Sequence, residues 1–213
     1  MINSKNTHTT VFFENAKNNL ELTQEREELL LAIADAITDE YFDSEKVNIT
    51  FICTHNSRRS QFAQIWAFFA VNYFQLTNFF TFSGGTEATA FHRNTVRALQ
   101  HAGFEFHIEN FTHQNPKYIV SFKGNQEPLS AFSKTFDHPI NAFPYIAVTT
   151  CNDADENCPF IPDAMYRFHL PYADPKEADN TDKTSETYIA TSNLIAGEIY
   201  FIFEEIKRQL SEN

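Results

Sequence analysis

The stretch from residue 47 to residue 76 constrains the fold most, because a strand pattern there gives way to a helix pattern across one short polar loop. Residues 47–52 (VNITFI) are β-branched, aromatic or apolar with one exception, which is typical of a buried strand. From residue 60 to residue 76 apolar residues recur at helical spacing and predict a helix with one buried stripe. The stripe consists of Phe62, Ile65, Trp66, Phe69, Ala70 and Tyr73. This succession indicates a parallel β-α-β unit.

Later segments continue the alternation. Residues 79–82 predict a second strand, which ends in Ser83-Gly84-Gly85. Residues 92–102 predict a second helix, with Gly103 where a left-handed residue is favoured at a helix C-terminus. Residues 145–150 (YIAVTT) predict a further buried strand with Cys151 at its carboxyl end.

The remaining segments are an N-terminal lead, a middle region and a C-terminal helix. Residues 23–42 predict a helix preceded by a polar lead, and residues 187–209 predict a long helix with one apolar face. Residues 104–122 contain two strand-like stretches, which favour a hairpin or a small local sheet. Residues 124–141 carry two prolines and predict a loop with at most one short helix.

Composition narrows the class of protein. Hydrophobic residues make up 42% of the 213 residues and charged residues 21%, which is typical of a folded globular chain. A formal net charge of −12 argues against nucleic acid or an anionic membrane as the main partner. No apolar run approaches membrane-spanning length, and the first ten residues lack the pattern of a signal peptide. Three cysteines do not suit a secreted disulfide framework, so we expect a cytoplasmic protein with thiol chemistry.

The loop between the first strand and its helix predicts a site for a tetrahedral oxyanion. Successive backbone N–H groups converge in such a turn, and the following helix adds its positive end. A cysteine at the start of the turn is held where its thiolate is favoured. The loop consists of Cys53, Thr54, His55, Asn56, Ser57, Arg58, Arg59 and Ser60.

Three residues of this loop supply specific chemistry. Arg59 offers a planar fork that can donate to two anion oxygens at once. Ser60 can donate a hydrogen bond to a thiolate and keep it nucleophilic. Arg58, Arg59 and the positive end of the helix predict a locally positive pocket in an acidic protein. The alternative is that Cys53 merely closes a buried strand and that Arg59 pairs with a surface acid.

The segment FICTHNSRRSQFAQ resembles the signature of the low-molecular-weight protein tyrosine phosphatase superfamily, and within it the thioredoxin-coupled arsenate reductases. SGGTEA at residues 83–88 resembles the second β-α unit of that family, and the likeness covers residues 47–103 and 145–175. It implies a doubly wound (flavodoxin-like) four-stranded parallel sheet with helices on both faces, and the anion loop at the carboxyl end of the first strand. We therefore expect an N-terminal helical extension over residues 1–45, and a catalytic domain over residues 46–213 with a middle insertion.

Three positions depart from the family pattern. His55 stands where the family has a glycine, so we expect the loop to turn through a positive φ there and to bring an imidazole near the thiolate. Arg58 stands where the family often has a second cysteine. Gln64 replaces a common glutamate, which puts the family's cation site in doubt.

Cys151 and Cys158 form a second group of candidate functional residues, in the segment TCNDADENCP. A phosphatase does not need them, whereas a reductase gives two electrons to its substrate in each turnover and must regain them from a reductant. The resemblance implies that Cys53 attacks arsenate, that Cys151 then attacks Cys53 and releases arsenite, and that Cys158 finally attacks Cys151. The resulting disulfide would be presented to thioredoxin. The alternatives are inert buried thiols, or half of a zinc site with His169 and one more ligand.

Asp174-Pro175 resembles the general-acid loop of the same family, where a carboxylic acid protonates the leaving oxygen. The leading hypothesis is arsenate reduction with thioredoxin as electron donor, although glutaredoxin fits these residues equally well. The runner-up is hydrolysis of phosphate monoesters by Cys53, Arg59 and Asp174. A third reading is a non-catalytic sensor of oxyanions or oxidants. The sequence predicts no bound cofactor and no metal.

Overall fold

The computed structural model describes residues 7–125, 127–152 and 164–212. The helices are α1 (His8–Asn18), α2 (Gln24–Ser44), α3 (Arg59–Tyr73), α4 (Arg93–His101) and α5 (Thr184–Glu212), with a 3-10 helix at Pro175–Ala178. The strands are β1 (Val47–Cys53), β2 (Phe79–Gly85), β3 (Phe104–Asn110), β4 (Lys117–Phe122), β5 (Leu129–Ala131), β6 (Tyr145–Thr149) and β7 (Ala164–His169).

The main sheet is parallel and has the strand order β2-β1-β6-β7. Every residue of β1 is buried, as a strand between two neighbours and under helices must be. Helices flank this sheet, so the expected doubly wound α/β fold with a four-stranded parallel sheet is confirmed. The carboxyl ends of β1, β2 and β6 meet at one edge, and the loop that follows Cys53 lies there.

The middle region forms a separate antiparallel sheet with the order β3-β4-β5. This confirms the expected local sheet at residues 104–122. The prediction of a loop with at most one short helix at residues 124–141 was wrong in part, because β5 (Leu129–Ala131) adds a third strand there. Strand β7, at the edge of the main sheet, was not predicted from the sequence.

The polar lead before the predicted N-terminal helix contains a helix of its own, α1, which the sequence analysis missed. Thr7 caps it, since its side chain accepts a hydrogen bond from the backbone N–H of Thr10. Phe12 and Phe13 stack on the fully buried indole of Trp66 in α3, at ring-centroid distances of 5.3 and 5.5 Å. The indole N–H in turn donates to Ser192 of α5 at 3.0 Å. Tertiary packing of this aromatic cluster thus stabilises a helix with few apolar residues.

Helices α1 and α2 both pack on α5, and α2 also contacts β1. The division of the chain at residue 45 stays a prediction. Among the described helices, none is long and apolar enough to cross a bilayer.

Candidate active site at the Cys53 loop

The backbone of the loop turns its carbonyl groups outward. The carbonyl oxygens of residues 53–58 all accept hydrogen bonds from surrounding segments or from α3. Within the described parts of the chain, no group accepts a hydrogen bond from the backbone N–H groups of residues 54–60. The first turn of α3 has no side-chain cap either, since Arg58 occupies that position. Inward N–H groups and an open helix N-terminus form an anion-binding geometry.

The left-handed residue of the loop is Asn56, with a φ of 45°. The expectation of a positive φ at His55 was therefore wrong by one residue. Asparagine is among the residues that adopt this conformation most readily, and its presence was the signal that could have corrected the prediction. The imidazole of His55 is half exposed and lies 3.8 Å from the Glu87 carboxylate, so it faces Glu87 rather than the thiol.

The Cys53 sulfur lies 3.0 Å from the Ser60 hydroxyl, and both residues are buried. The direction of this hydrogen bond follows from Asn56, which is fully buried. The Asn56 side-chain oxygen accepts from the Lys134 backbone N–H at 3.0 Å, so its NH₂ group faces Ser60 and donates to the hydroxyl at 2.9 Å. The Ser60 hydroxyl is then free to donate its own hydrogen to the Cys53 sulfur.

The middle region supports the loop from outside. Ser133 donates from its hydroxyl to the His55 carbonyl at 2.8 Å. Asn115 holds Ser133 through two hydrogen bonds, of 2.7 and 3.1 Å, between its side-chain amide and the Ser133 backbone. Gln61 donates to both the carbonyl and the side-chain oxygen of Asn56 at 3.1 Å. Ser133 is far from His55 along the chain, so no local pattern in the sequence reveals this contact.

Lys134 brings a buried charge close to the loop. Its side chain is 2% exposed, and its ammonium lies 5.2 Å from the centre of the Phe132 ring. Among the described residues, none accepts a hydrogen bond from this ammonium. Burial lowers the pKa of Lys134 from its ordinary 10.5 to about 8.

Gly85, at the end of β2, allows the loop to approach the sheet. A Cβ atom at this position would lie 2.6 Å from the Thr54 carbonyl oxygen and 2.8 Å from the Asn56 nitrogen. Real Cβ atoms do not come so close to backbone atoms, so only glycine fits here.

The side chains of Arg59 and Asp174 are in contact. The Arg59 guanidinium donates to the Asp174 carboxylate at 2.8 Å and to the Tyr172 carbonyl at 3.1 Å. The other Asp174 oxygen accepts from the Lys176 backbone N–H at 3.0 Å, which caps the 3-10 helix. Both carboxylate oxygens are thus oriented, and the acid stands beside the arginine of the loop.

Arg58 belongs to a polar cluster that ties the loop to α4 and α5. Its guanidinium donates to the Asp179 carboxylate at 2.9 Å and to the Tyr188 hydroxyl at 2.6 Å. His92, which caps α4, lies 3.1 Å from the same hydroxyl through Nδ1. Burial alone would raise the pKa of Asp179, but hydrogen bonds from Tyr188 and Arg58 lower it below its ordinary value. Burial, with the nearby Arg58 charge, lowers the pKa of His92.

Cys151 lies next to the loop, because it follows β6 and β6 is paired with β1. Its sulfur is 3.4 Å from the Thr54 hydroxyl, and it is 1% exposed. Cys53 and Cys151 pack in the same small buried cluster, and both are free thiols. Cys158 lies outside the described residues. His169 contacts Thr149 and Asn152, at 3.0 and 3.2 Å.

A basin of about 480 Å³ opens beside the loop. Its titratable lining residues are all basic, and its lining consists of His55, Ser57, Arg58, Thr89, Ala90, His92, Gln114 and Lys176. This arrangement gives an acidic protein a locally basic approach to the loop.

Gln64, the third departure from the family pattern, donates to the Thr81 carbonyl and accepts from the Ser83 hydroxyl, so it joins α3 to β2. In the described ranges, no three His, Cys, Asp or Glu side chains are placed to hold a metal ion.

The chain is 30% identical to an arsenate reductase 2 from Staphylococcus epidermidis over 131 residues, which cover 62% of this chain and 80% of the relative. It is also 30% identical to an arsenate reductase from Bacillus subtilis over 135 residues, covering 63% and 78%. No family model matches the chain.

A solved structure shares the fold. The low-molecular-weight phosphotyrosine phosphatase from Vibrio cholerae superposes with a TM-score of 0.50 at 15% identity, and the match covers 76% of this chain and 98% of that one. The two sequence relatives carry the family assignment. The chain therefore belongs to the family of these arsenate reductases, and it shares its fold with a low-molecular-weight phosphotyrosine phosphatase.

Proposed function

We propose that this chain reduces arsenate to arsenite through a thiol relay of Cys53, Cys151 and Cys158, with thioredoxin as the electron donor. The observation that carries the proposal is the position of Cys151. Its sulfur lies 3.4 Å from the Thr54 hydroxyl of the anion loop, although hydrolysis of a phosphate ester requires only one cysteine. The names of the sequence relatives support the same reaction.

In the first step, the N–H groups of residues 54–60 bind arsenate, and the Cys53 thiolate attacks the arsenic atom. A sulfur–arsenic bond forms and one arsenate oxygen leaves as water, with a proton supplied by Asp174. Arg59 remains available to the anion, because a guanidinium has five N–H donors and only two are used on Tyr172 and Asp174. The Ser60 hydroxyl stabilises the thiolate before the attack.

In the second step, the Cys151 thiolate attacks the Cys53 sulfur. The sulfur–arsenic bond breaks, its electron pair stays with arsenic, and arsenite leaves, so As(V) becomes As(III) while two thiols become a Cys53–Cys151 disulfide. The Cys158 thiolate then attacks the Cys151 sulfur and releases the Cys53 thiolate. A dithiol partner reduces the resulting Cys151–Cys158 disulfide and restores the enzyme.

Thioredoxin is the proposed partner because the relay ends in a disulfide that a dithiol protein can reduce, and glutaredoxin is the alternative donor. Cys53 and Cys151 are free thiols, which fits a reducing compartment, and we place the reaction in the cytoplasm.

The test is arsenate-dependent oxidation of NADPH in the presence of thioredoxin and thioredoxin reductase. We expect turnover by the wild type and none by Cys151→Ser or Cys158→Ser. Hydrolysis of para-nitrophenyl phosphate, measured on the same samples, controls for an intact loop. Ester hydrolysis that is strong and indifferent to both substitutions, without arsenate turnover, would replace the reductase by a phosphatase.

Phosphate monoester hydrolysis is the second candidate, and the pairing of Arg59 with Asp174 favours it. A cysteinyl-phosphate mechanism needs a nucleophile, an anion-binding arginine and a general acid, and the 2.8 Å contact brings the last two together at the loop. Cys151 would then be an ordinary buried thiol.

A further inference from the structure

Arg26 of α2 contacts the segment that leads into Asp174. Its guanidinium forms a two-pronged ion pair with the Glu198 carboxylate of α5, at 2.7 and 2.8 Å. The same guanidinium donates to the Pro171 carbonyl at 3.2 Å and lies 5.2 Å from the centre of the Tyr172 ring. Glu198 is only 3% exposed in its side chain, so this is a buried contact rather than a surface pair.

The segment held by Arg26 is also held by the main sheet. The Leu170 N–H donates to the Thr149 carbonyl at 2.8 Å, and the Tyr172 N–H donates to the Thr150 carbonyl at 3.2 Å. Residues 170–172 are thereby fixed between the carboxyl end of β6 on one side and the Arg26–Glu198 pair on the other.

This segment in turn orients the arginine of the anion loop. Arg59 donates to the Tyr172 carbonyl at 3.1 Å. It also donates at 2.8 Å to the carboxylate of Asp174, two residues after Tyr172. A shift of residues 171–172 would therefore move both acceptors that set the direction of the Arg59 fork.

We propose that Arg26 is a positioning residue for the anion site: it fixes residues 171–172 so that Tyr172 and Asp174 aim the Arg59 guanidinium at the loop. The inference rests on the proposed function, because it takes the anion bound by the loop to be the oxyanion that Cys53 attacks. Helix α2, which precedes β1, would then hold in place the side of the site that carries Arg59 and Asp174.

The test uses inorganic phosphate as the probe and the full chain. Phosphate in the loop protects Cys53 from iodoacetamide, and mass spectrometry of the peptide that contains Cys53 measures its alkylation separately from that of the other cysteines. Arg26→Lys keeps the buried charge pair but loses the planar fork. We expect it to raise the half-protecting phosphate concentration about threefold, because small misplacements of a binding group cost affinity steeply.

A second variant removes the pair without leaving a lone buried charge. In Arg26→Met/Glu198→Gln both partners are neutral, and we expect a rise of about tenfold in the half-protecting concentration. The matched control is Arg208→Ala, which removes exposed ion pairs on the same helix as Glu198 and should leave the protection curve unchanged. The alkylation rate of Cys53 without phosphate should stay at the wild-type value in all folded variants.

A purely structural role gives a different result. If Arg26→Lys lowers the melting temperature but leaves the half-protecting concentration at the wild-type value, the inference is overturned, whether or not the double variant folds. Failure of phosphate to protect Cys53 in the wild type overturns it as well. If the variants show the expected shifts in half-protecting concentration but the wild type reduces no arsenate, the proposed function is contradicted. The positioning role of Arg26 is then still supported.

Discussion

The Cys53 loop is held by two flanks of different chemistry. On the neutral flank, uncharged hydrogen bonds fix the side of the loop that carries the thiol, and they come from Asn56, Ser60, Gln61, Asn115 and Ser133. On the charged flank, ion pairs hold the side that carries the arginines, and they consist of Arg58 with Asp179 and Arg59 with Asp174.

The difference separates two tasks. Buried neutral hydrogen bonds keep one geometry over a wide range of salt and pH, which suits the orientation of a nucleophile. Ion pairs of partly exposed groups can exchange one anion for another, which suits the capture of a substrate. We therefore expect substitutions on the charged flank to change anion binding and turnover, and substitutions on the neutral flank to change stability and the state of the thiol.

The largest effect should come from Arg59→Lys on the charged flank. Lysine keeps the charge but cannot donate in a fork to two oxygens, so kcat/KM for arsenate should fall by about 100-fold or more. Steady-state kinetics with the thioredoxin system measure this loss. A melting temperature equal to that of the wild type would show that binding rather than folding is affected, whereas unchanged kcat/KM would remove Arg59 from the site.

On the neutral flank, Asn56→Ala should destabilise the protein by about 3 kcal/mol, because it leaves the Ser60 hydroxyl and the Lys134 N–H without their buried partner. Denaturant unfolding measures the change, and the alkylation rate of Cys53 at neutral pH should fall with it. Asn78→Ala is the matched control, since Asn78 is exposed and has a similar φ of 66°. The control should cost only about 1 kcal/mol, the price of the left-handed conformation, and equal costs would contradict the account of the neutral flank.

Lys134→Met tests the charge buried beside the neutral flank. Below pH 8 the lysine is protonated in both the folded and the unfolded chain, and the cost of burying the charge is fully present. Between about 8 and 10.5 only the unfolded chain keeps the proton, so the stability of the wild type should rise with pH in this window. At pH 7 the variant should be more stable by about 2 kcal/mol and should lack this rise. Urea unfolding from pH 7 to 10.5 measures both, and parallel curves for the two proteins would contradict the buried charge.

The smallest effect should come from Asp179→Asn at the outer end of the charged flank. The lowered pKa of Asp179 contributes stability that is present above its ordinary pKa of 3.8 and is lost as the pH falls through the folded-state pKa. The wild type should thus lose more stability than the variant on acidification below 3.8, as followed by circular dichroism. The salt dependence of arsenate KM should become steeper in the variant, because Arg58 loses its nearer ionic partner and the site gains net positive charge.

The sequence predicted the parts of the site that lie along one strand–loop–helix unit. The anion loop, Ser60 and the start of α3 follow from local patterns, because a buried strand and an apolar stripe at helical spacing leave strong periodicities. The general-acid role of Asp174 came only from the family resemblance, and its contact with Arg59, 115 positions away, was not predicted.

The parts that could not be predicted depend on long-range packing. Helix α1 has few apolar residues and is fixed by the stacking of Phe12 and Phe13 on Trp66, which no local pattern reveals. Ser133 reaches the loop only because the middle region folds back beside β2. The left-handed position at Asn56 was within reach, because asparagine adopts that conformation more readily than histidine.

The most direct test of the account is a single turnover of the Cys158→Ser variant, which should stop the relay at its second step. One equivalent of arsenate, without thioredoxin, should yield one arsenite per chain and a disulfide that joins the peptides containing Cys53 and Cys151, detected by mass spectrometry. This result would establish that Cys151 receives the oxidising equivalent from Cys53. If no arsenite forms and both thiols remain open to alkylation, the reductase mechanism is contradicted.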